Sequence, residues 1–236
     1  MKLSIIIPVY NEERTVIQLL KQVVSVSFPN IEKEIIVVDD GSTDNSKSKI
    51  QNAKFKEIKF LYHEKNKGKG AAVKTGLAKA TGEYVVIQDA DLEYDPQQIE
   101  KLLQPIFKGK AEVVYGTRLN RLPNLSRDEK TPLFLLHYLG NRFLSLVTSV
   151  LYFQWLTDME TCYKLFPKKA LDDITLHAKG FEFEPEITAK FLKKGYKIYE
   201  VPITTIPRDY QSEKKLYAHK DGPRALWTLL KYRFID

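Results

Sequence analysis

The sequence predicts an α/β protein built on a mostly parallel central sheet with helices on both faces. Three observations carry this expectation. Short apolar runs recur along the first half, at Leu3–Ile7, Ile35–Val38 and Tyr84–Ile87, and strands buried on both faces read as continuous rather than alternating apolar runs. Strand and helix patterns alternate five times with short loops between them, which is the signature of a parallel sheet. Acidic residues then gather at the strands' carboxyl ends, Asp39-Asp40 after the second and Asp89 and Asp91 after the fourth. In open parallel sheets that edge is where ligands bind.

Leu3–Ile7 is the first strand, and Asn11 is placed to cap a helix in which Val16, Leu19, Leu20, Val23 and Val24 recur at helical spacing. Ile35–Val38 is the second strand, and the turn from Asp39 to Asp44 leads into a polar helix near Ser46–Gln51. Phe60–Tyr62 is a third, weaker strand. Asn66-Lys67-Gly68-Lys69-Gly70 reads as a glycine-rich loop before a helix over Ala71–Ala80, stopped by Gly82. The fourth strand, Tyr84–Ile87, ends in Asp89-Ala90-Asp91, with Glu93 close behind. Asp95-Pro96 opens the next helix with a cap, a proline at the first helical position and Gln98 three after the cap. That helix runs to about Phe107, and Val113–Tyr115 is the fifth strand.

Beyond Arg118 the character changes. Residues 119–131 form a polar loop containing Arg121 and Arg127. Leu133–Leu156 is strongly apolar but interrupted by His137, Asn141 and Arg142, and is expected to form a buried or interfacial helix pair bending near Gly140. Its charge-free part, Phe143–Thr157, falls short of the roughly 17–25 residues that a membrane span needs. Cys162–Phe166 and Ile198–Val201 read as strands, and Pro185–Lys194 as a helix ended by Gly195. A basic segment from Arg208 to Lys220 precedes a short apolar-aromatic helix, Ala225–Phe234, edged by Arg224, Lys231 and Arg233.

Composition narrows the function classes. With 236 residues, 43% hydrophobic and 28% charged, the chain has the make-up of an ordinary globular protein. The single cysteine, Cys162, excludes an intrachain disulfide, suits a reducing compartment and reads as a core residue. Met1-Lys2 leads straight into the first strand, so no signal peptide is expected. A net charge of +7 and a pI near 9.2 point to an anionic partner. Pro8–Glu13 contains no glycine, against a dinucleotide site, and Gly68-Lys69-Gly70 lacks the hydroxyl residue of a P-loop. No H-E-x-x-H or C-x-x-C occurs, against zinc. What remains is the acidic strand end. Carboxylates crowded there repel one another, and a hard divalent ion with oxygen ligands, Mg²⁺ or Mn²⁺, best fits Asp89, Asp91 and Glu93.

IIIPVYNEE, VVDDGSTD, NKGKGAAVKTGL and DADLEYDP, in this order and spacing, resemble family 2 glycosyltransferases of the GT-A fold. TDMETCYKLF, FEFEPEITAK and KDGPRALWTLLKYRF are similar to the polyprenyl-phosphate branch, the dolichol-phosphate mannose and glucose synthases. The resemblance implies a single domain with a nucleotide-binding half over 1–117, an acceptor half over 118–207 and a basic segment with an interfacial helix over 208–236. It implies transfer of one hexose, with inversion, from a UDP- or GDP-sugar to a dolichyl or undecaprenyl phosphate, on the cytoplasmic face of a membrane and without nucleic acid.

By the same resemblance, Pro8, Tyr10, Asn11, Glu12 and Asp40 line the base and ribose pocket, with Asp39 beside them. Asn66, Gly68, Lys69 and Gly70 close the nucleotide end. Asp89, Ala90 and Asp91 meet the diphosphate and its metal, with Glu93 where the mannose synthases commonly carry Gln. Arg118, Arg127 and Arg208 hold phosphate groups, and Lys214 and Lys215 steer the acceptor phosphate in. Asp158 and Glu160 occupy the stretch where relatives that glycosylate a hydroxyl keep their base. A phosphate acceptor is already anionic and needs little base. Two alternatives stay open: transfer to a saccharide or protein hydroxyl with Asp158 as base, and a non-catalytic basic protein that binds a membrane or nucleic acid.

Overall fold

The computed structural model describes residues 1–119, 132–206 and 218–235. Its strands are β1 (Lys2–Val9), β2 (Glu32–Asp39), β3 (Ile58–Tyr62), β4 (Tyr84–Ile87), β5 (Val113–Thr117), β6 (Lys164–Pro167) and β7 (Ile198–Pro202). They form one seven-stranded sheet in the order β3-β2-β1-β4-β6-β5-β7. All neighbours run parallel except β6, which is antiparallel to both β4 and β5. The sheet is therefore mostly parallel, as the apolar runs predict. Ile5, Ile6, Ile7, Ile36, Val37, Val38, Val85, Val86 and Ile87 are all buried at its centre, where β-branched side chains fill the space between sheet and helices.

The helices are α1 (Val16–Ser25), α2 (Ser46–Ala53), α3 (Lys69–Leu77), α4 (Ile99–Phe107), α5 (Pro132–Tyr152), α6 (Phe183–Lys193) and α7 (Ala218–Phe234). α1 buries the expected stripe of Val16, Leu19, Leu20 and Val23, but Asn11 does not cap it. The helix starts after Thr15, and Asn11 instead adopts a left-handed conformation with φ +49°. Asp95 does act as a cap: its carboxylate accepts from the Gln97 amide at 2.9 Å over a 3-10 turn, Pro96–Gln98, that leads into α4.

The expected helix pair near Gly140 is one unbroken helix, α5. A lone glycine costs about 1 kcal/mol in a helix, too little by itself to break one. Leu144 and Tyr152 of α5 join Met159, Ala189 of α6, and Ala225, Leu229 and Tyr232 of α7 in a second small core, where the Tyr152 hydroxyl donates to the Leu229 carbonyl at 2.7 Å. Because the helix continues through Arg142, whose guanidinium donates to the Leu119 carbonyl, Phe134–Tyr152 is long and apolar enough to cross a membrane by length and composition. The charge-free part alone, Phe143–Thr157, falls short of that length. Only 22% of Phe134–Tyr152 is buried. Leu136, Leu139, Phe143, Leu146 and Val150 face outward at alternating spacings of three and four, and Trp227 of α7 is also exposed.

Candidate active site

The register brings the functional segments to one edge of the sheet. Val9 lies beside Asp39, Asp39 beside Tyr62, and Ile6 beside Ile87, so β1 to β4 all end there. Because β6 runs the other way, its first residue, Lys164, arrives at the same edge, opposite Tyr115. Residues 158–163 are thereby delivered next to the acidic turn that follows β4.

On the β1–β3 side the loops are stitched together by carboxylates and amides. The Asn11 amide donates to Ser42 Oγ at 2.9 Å, and its side-chain oxygen accepts from the Thr43 amide at 2.8 Å. The Glu12 amide donates to Ser46 Oγ, and the Glu13 amide to Asp44. Pro8 pairs with Val38 inside the sheet, and Tyr10 follows β1, half-buried. Asp40 is almost wholly buried, and its oxygens accept from the Lys67 amide at 3.0 Å and the Gly68 amide at 2.7 Å. His63 Nδ1 lies 2.6 Å from Asp40, and His63 Nε2 lies 2.9 Å from Thr75 Oγ1. Asp40 thus anchors the glycine-rich loop. Its neighbour Asp39 accepts from the Ser42 amide, and its second oxygen is buried with no hydrogen-bond partner among the described residues.

The glycine-rich loop packs against the 178–180 segment. Asn66 is exposed. Gly68 sits at φ +97°, and a Cβ there would collide with the Lys179 carbonyl; one on Gly70 would come within 2.9 Å of the Gly180 carbonyl. The amides of Gly70 and Ala71, at the start of α3, donate to the Gly180 and Lys179 carbonyls. These glycines admit the 178–180 segment, and the Lys67, Gly68, Gly70 and Ala71 N–H groups are already used within the protein.

Lys69 points the other way, into the acidic turn. Its ammonium lies 2.9 and 3.2 Å from the two Asp89 oxygens and 3.4 Å from Glu184. Glu184 is also 2.7 Å from the fully buried Lys164 ammonium. Burial alone would lower the Lys69 pKa, but Asp89, Cys162 and Glu184 together hold it well above its ordinary value. Asp91 accepts from the Glu93 amide at 3.0 Å, Ala90 is buried between the two aspartates, and Leu92 takes φ +65°. Among the described residues no three His, Cys, Asp or Glu side chains converge into a metal-holding group. The expected trio of Asp89, Asp91 and Glu93 is therefore not assembled as a three-carboxylate nest. Two half-exposed aspartates two residues apart still fit Mg²⁺ or Mn²⁺, which bind through one or two carboxylates and take their remaining oxygens from water and substrate phosphates.

Arg118 follows β5 and is the best-fixed cation at the edge. Its Nε and Nη2 reach the two oxygens of Asp158 at 2.7 and 2.8 Å, and its own amide donates to the same carboxylate at 2.9 Å. Asp158 is fully buried and its amide donates to Glu200, which also accepts from Thr157. Burial works against the Arg118 charge, but Asp158 outweighs it and holds the guanidinium ionised. Asp158, expected as a base in one reading, has both oxygens committed to Arg118. Two residues on, Glu160 has a buried Oε1 with no hydrogen-bond partner. Burial pushes its pKa up to about 7 despite the Lys164 charge.

Arg127, Arg208, Lys214 and Lys215 lie outside the described residues. Sequence reasoning missed His63, Lys164, Glu184 and Glu200. The signal for Lys164 and Glu184 was present: each is a charge set among apolar neighbours, in CYKLF and FEFEP, and a buried charge requires a partner.

The sequence matches the family model for Glycosyl transferase family 2 over residues 4–175. The chain belongs to that family. This glycosyltransferase is 32% identical over 87% of its length, and 86% of the relative's, to the UDP-N-acetylglucosamine–dolichyl-phosphate N-acetylglucosaminyltransferase of Methanococcus voltae. It is 30% identical to a dolichyl-phosphate beta-glucosyltransferase of Trichomonas vaginalis, covering 85% of this chain and 62% of that one. The glucosyl-3-phosphoglycerate synthase of Mycobacterium tuberculosis, solved with Mn²⁺, UDP-glucose and glycerol 3-phosphate, shares the fold: TM-score 0.73 at 18% identity, covering 100% of the glycosyltransferase and 81% of that chain.

Proposed function

We propose that this glycosyltransferase moves one hexose or N-acetylhexosamine from a UDP-sugar to a polyprenyl phosphate at a membrane surface, inverting the anomeric carbon. The observation that carries the reading is the Arg118–Asp158 pair. It sets a permanent cation at the sheet edge beside the acidic turn, and it occupies the carboxylate that a hydroxyl acceptor would need as its base. An acceptor that arrives already anionic needs orientation and a counter-charge rather than a base. The relatives from Methanococcus voltae and Trichomonas vaginalis are named for transfer to dolichyl phosphate, which is such an acceptor.

In this reading Asp89 and Asp91 hold Mg²⁺ or Mn²⁺, which supplies charge to the departing diphosphate. Asp39, whose second oxygen has no hydrogen-bond partner among the described residues, is available to an N–H of the base or an O–H of the ribose. Residues 1–117 form the donor half and 118–207 the acceptor half, and Arg127, Arg208, Lys214 and Lys215 receive the lipid phosphate. The exposed stripe of α5, Trp227 and the basic rim of α7 lie against the lipid, where each basic residue near an anionic surface contributes about 1 kcal/mol.

Glu160 favours a second reading. A buried carboxyl with a free oxygen and a pKa near 7 suits a general base, and a hydroxyl acceptor would use it in place of Asp158. Purified protein with Mn²⁺ and a panel of UDP- and GDP-sugars should glycosylate a short polyprenyl phosphate and leave the corresponding polyprenol untouched. Transfer to the alcohol, lost in Glu160→Gln, would establish the second reading instead.

A further inference from the structure

We propose that Lys69 makes divalent-metal binding at Asp89 conditional on the diphosphate, so that ion and nucleotide bind as a coupled pair. The inference rests on the donor-site reading above. It starts from an occupied ligand: the Lys69 ammonium contacts both oxygens of Asp89, at 2.9 and 3.2 Å, covering the edge of the carboxylate that an ion would use. On its other side Glu184 lies 3.4 Å away, already neutralised by Lys164 at 2.7 Å. The result is an alternating chain of charge, Asp89, Lys69, Glu184, Lys164, that ends in the protein interior.

The backbone that carries Lys69 is fixed. Lys69 is the first residue of α3, whose start is pinned by the Gly68 amide on Asp40 and by the Gly70 and Ala71 amides on the 178–180 segment. A rotation about the side chain therefore moves the ammonium without moving the loop. A metal ion arriving alone must push a cation off its ligand, and that cation has no new anion to meet. A diphosphate supplies one. The ammonium turns to the phosphate oxygens, Asp89 is released, and the ion takes its place. A ligand shifts such an equilibrium only through its differential contacts with the two arrangements, and the coupling is reciprocal: each ligand raises the other's affinity by the same factor.

Bridging of the ion by phosphate would also couple the two ligands, so wild-type cooperativity alone does not test the proposal; the metal-only affinity does. Mn²⁺ binding to the full chain is followed by the EPR signal of the free ion, alone and with UDP or GDP. The variants are Lys69→Met, Lys69→Gln, Lys69→Arg and Lys69→Met/Asp89→Asn, each checked for fold by thermal unfolding. Lys69→Met and Lys69→Gln should bind Mn²⁺ alone at least about tenfold more tightly than wild type and show a smaller gain on adding nucleotide. Lys69→Arg should stay as weak as wild type, and the double variant should lose the new affinity. Two neutral variants guard against one failing to fold. If both bind Mn²⁺ alone no better than wild type, while wild type binds it with nucleotide, this inference falls and the donor-site reading stands. If no protein binds Mn²⁺ under any condition, both fall.

Discussion

The two sides of the sheet edge hold their carboxylates in different ways. On the β1–β3 side the acidic residues spend their oxygens mainly on backbone amides. Asp40 takes those of Lys67 and Gly68, Asp44 those of Glu13 and Ser46, and Asp39 that of Ser42. On the β5–β7 side Glu200 and Glu186 also take backbone amides, but cations are added: Asp158 grips Arg118, Glu184 meets Lys164 and Lys69, and Glu186 meets Lys190. The first arrangement sets the shape of loops and the second sets the position of charge. The function proposed above would use both: a pocket for a base and a ribose needs contour, whereas a surface that receives a phosphate needs cations that stay put.

The contrast can be broken most severely at Asp158. Asp158→Ala leaves the Arg118 guanidinium without its partner, and loss of one member of a buried ion pair costs about 3–5 kcal/mol. Urea denaturation should show a loss of that order, and turnover should fall with it. A loss under about 1 kcal/mol, the ceiling for an exposed pair, would mean that the charge is not held as described.

Asp40→Asn tests the other side. An amide cannot accept from both loop N–H groups and His63 at once, so one buried donor is left unsatisfied at a cost of about 1–3 kcal/mol. Amide hydrogen exchange at Lys67 and Gly68 should accelerate, with weaker UDP binding and little effect on Arg118. Unchanged exchange at both amides would argue against the anchor.

Glu160 sharpens the comparison through pH. Its folded pKa of about 7 stands above an ordinary value near 4.5, so the native state holds a proton that the unfolded state has released. Stability from this group is full below the lower value and is lost as pH rises to the upper one. Glu160→Gln removes that loss. The variant should match wild type near pH 4.5 and gain on it steadily up to about pH 7, then run level. Urea midpoints across that range measure it, and a constant offset would mean that Glu160 does not titrate there.

The smallest effect on stability is expected outside both networks. Phe143 is 54% exposed and Leu139 63% exposed, and surface substitutions usually change stability by about 0.5 kcal/mol or less. Phe143→Ser and Leu139→Ser should leave the unfolding midpoint in place while reducing sedimentation with anionic liposomes. Undiminished sedimentation would move the lipid contact elsewhere.

Much of the fold was legible because burial on both faces leaves an unmistakable apolar run, as in β1, β2 and β4. The Asp95-Pro96 cap was legible because its chemistry is local. What could not be read was anything decided by a distant partner. The reversal of β6 changes no residue pattern, since a strand buried between two others looks alike in either direction. Asn11 has the chemistry of a helix cap but meets Thr43 more closely than any helix start. Asp40 and Asp158 were found as site residues, yet their roles follow from Gly68 and Arg118, which only the folded chain brings to them.

The reversed strand has one further consequence. The chain leaves the sheet edge after Thr117 and returns to it at Lys164, with Tyr115 and Lys164 side by side. Everything between them is a cassette whose two ends are fixed next to each other by the sheet itself. Lengthening such a segment adds only slowly to its closure entropy, about 0.6 kcal/mol per doubling. The cassette can therefore be lengthened or replaced while β1 to β4 keep their register.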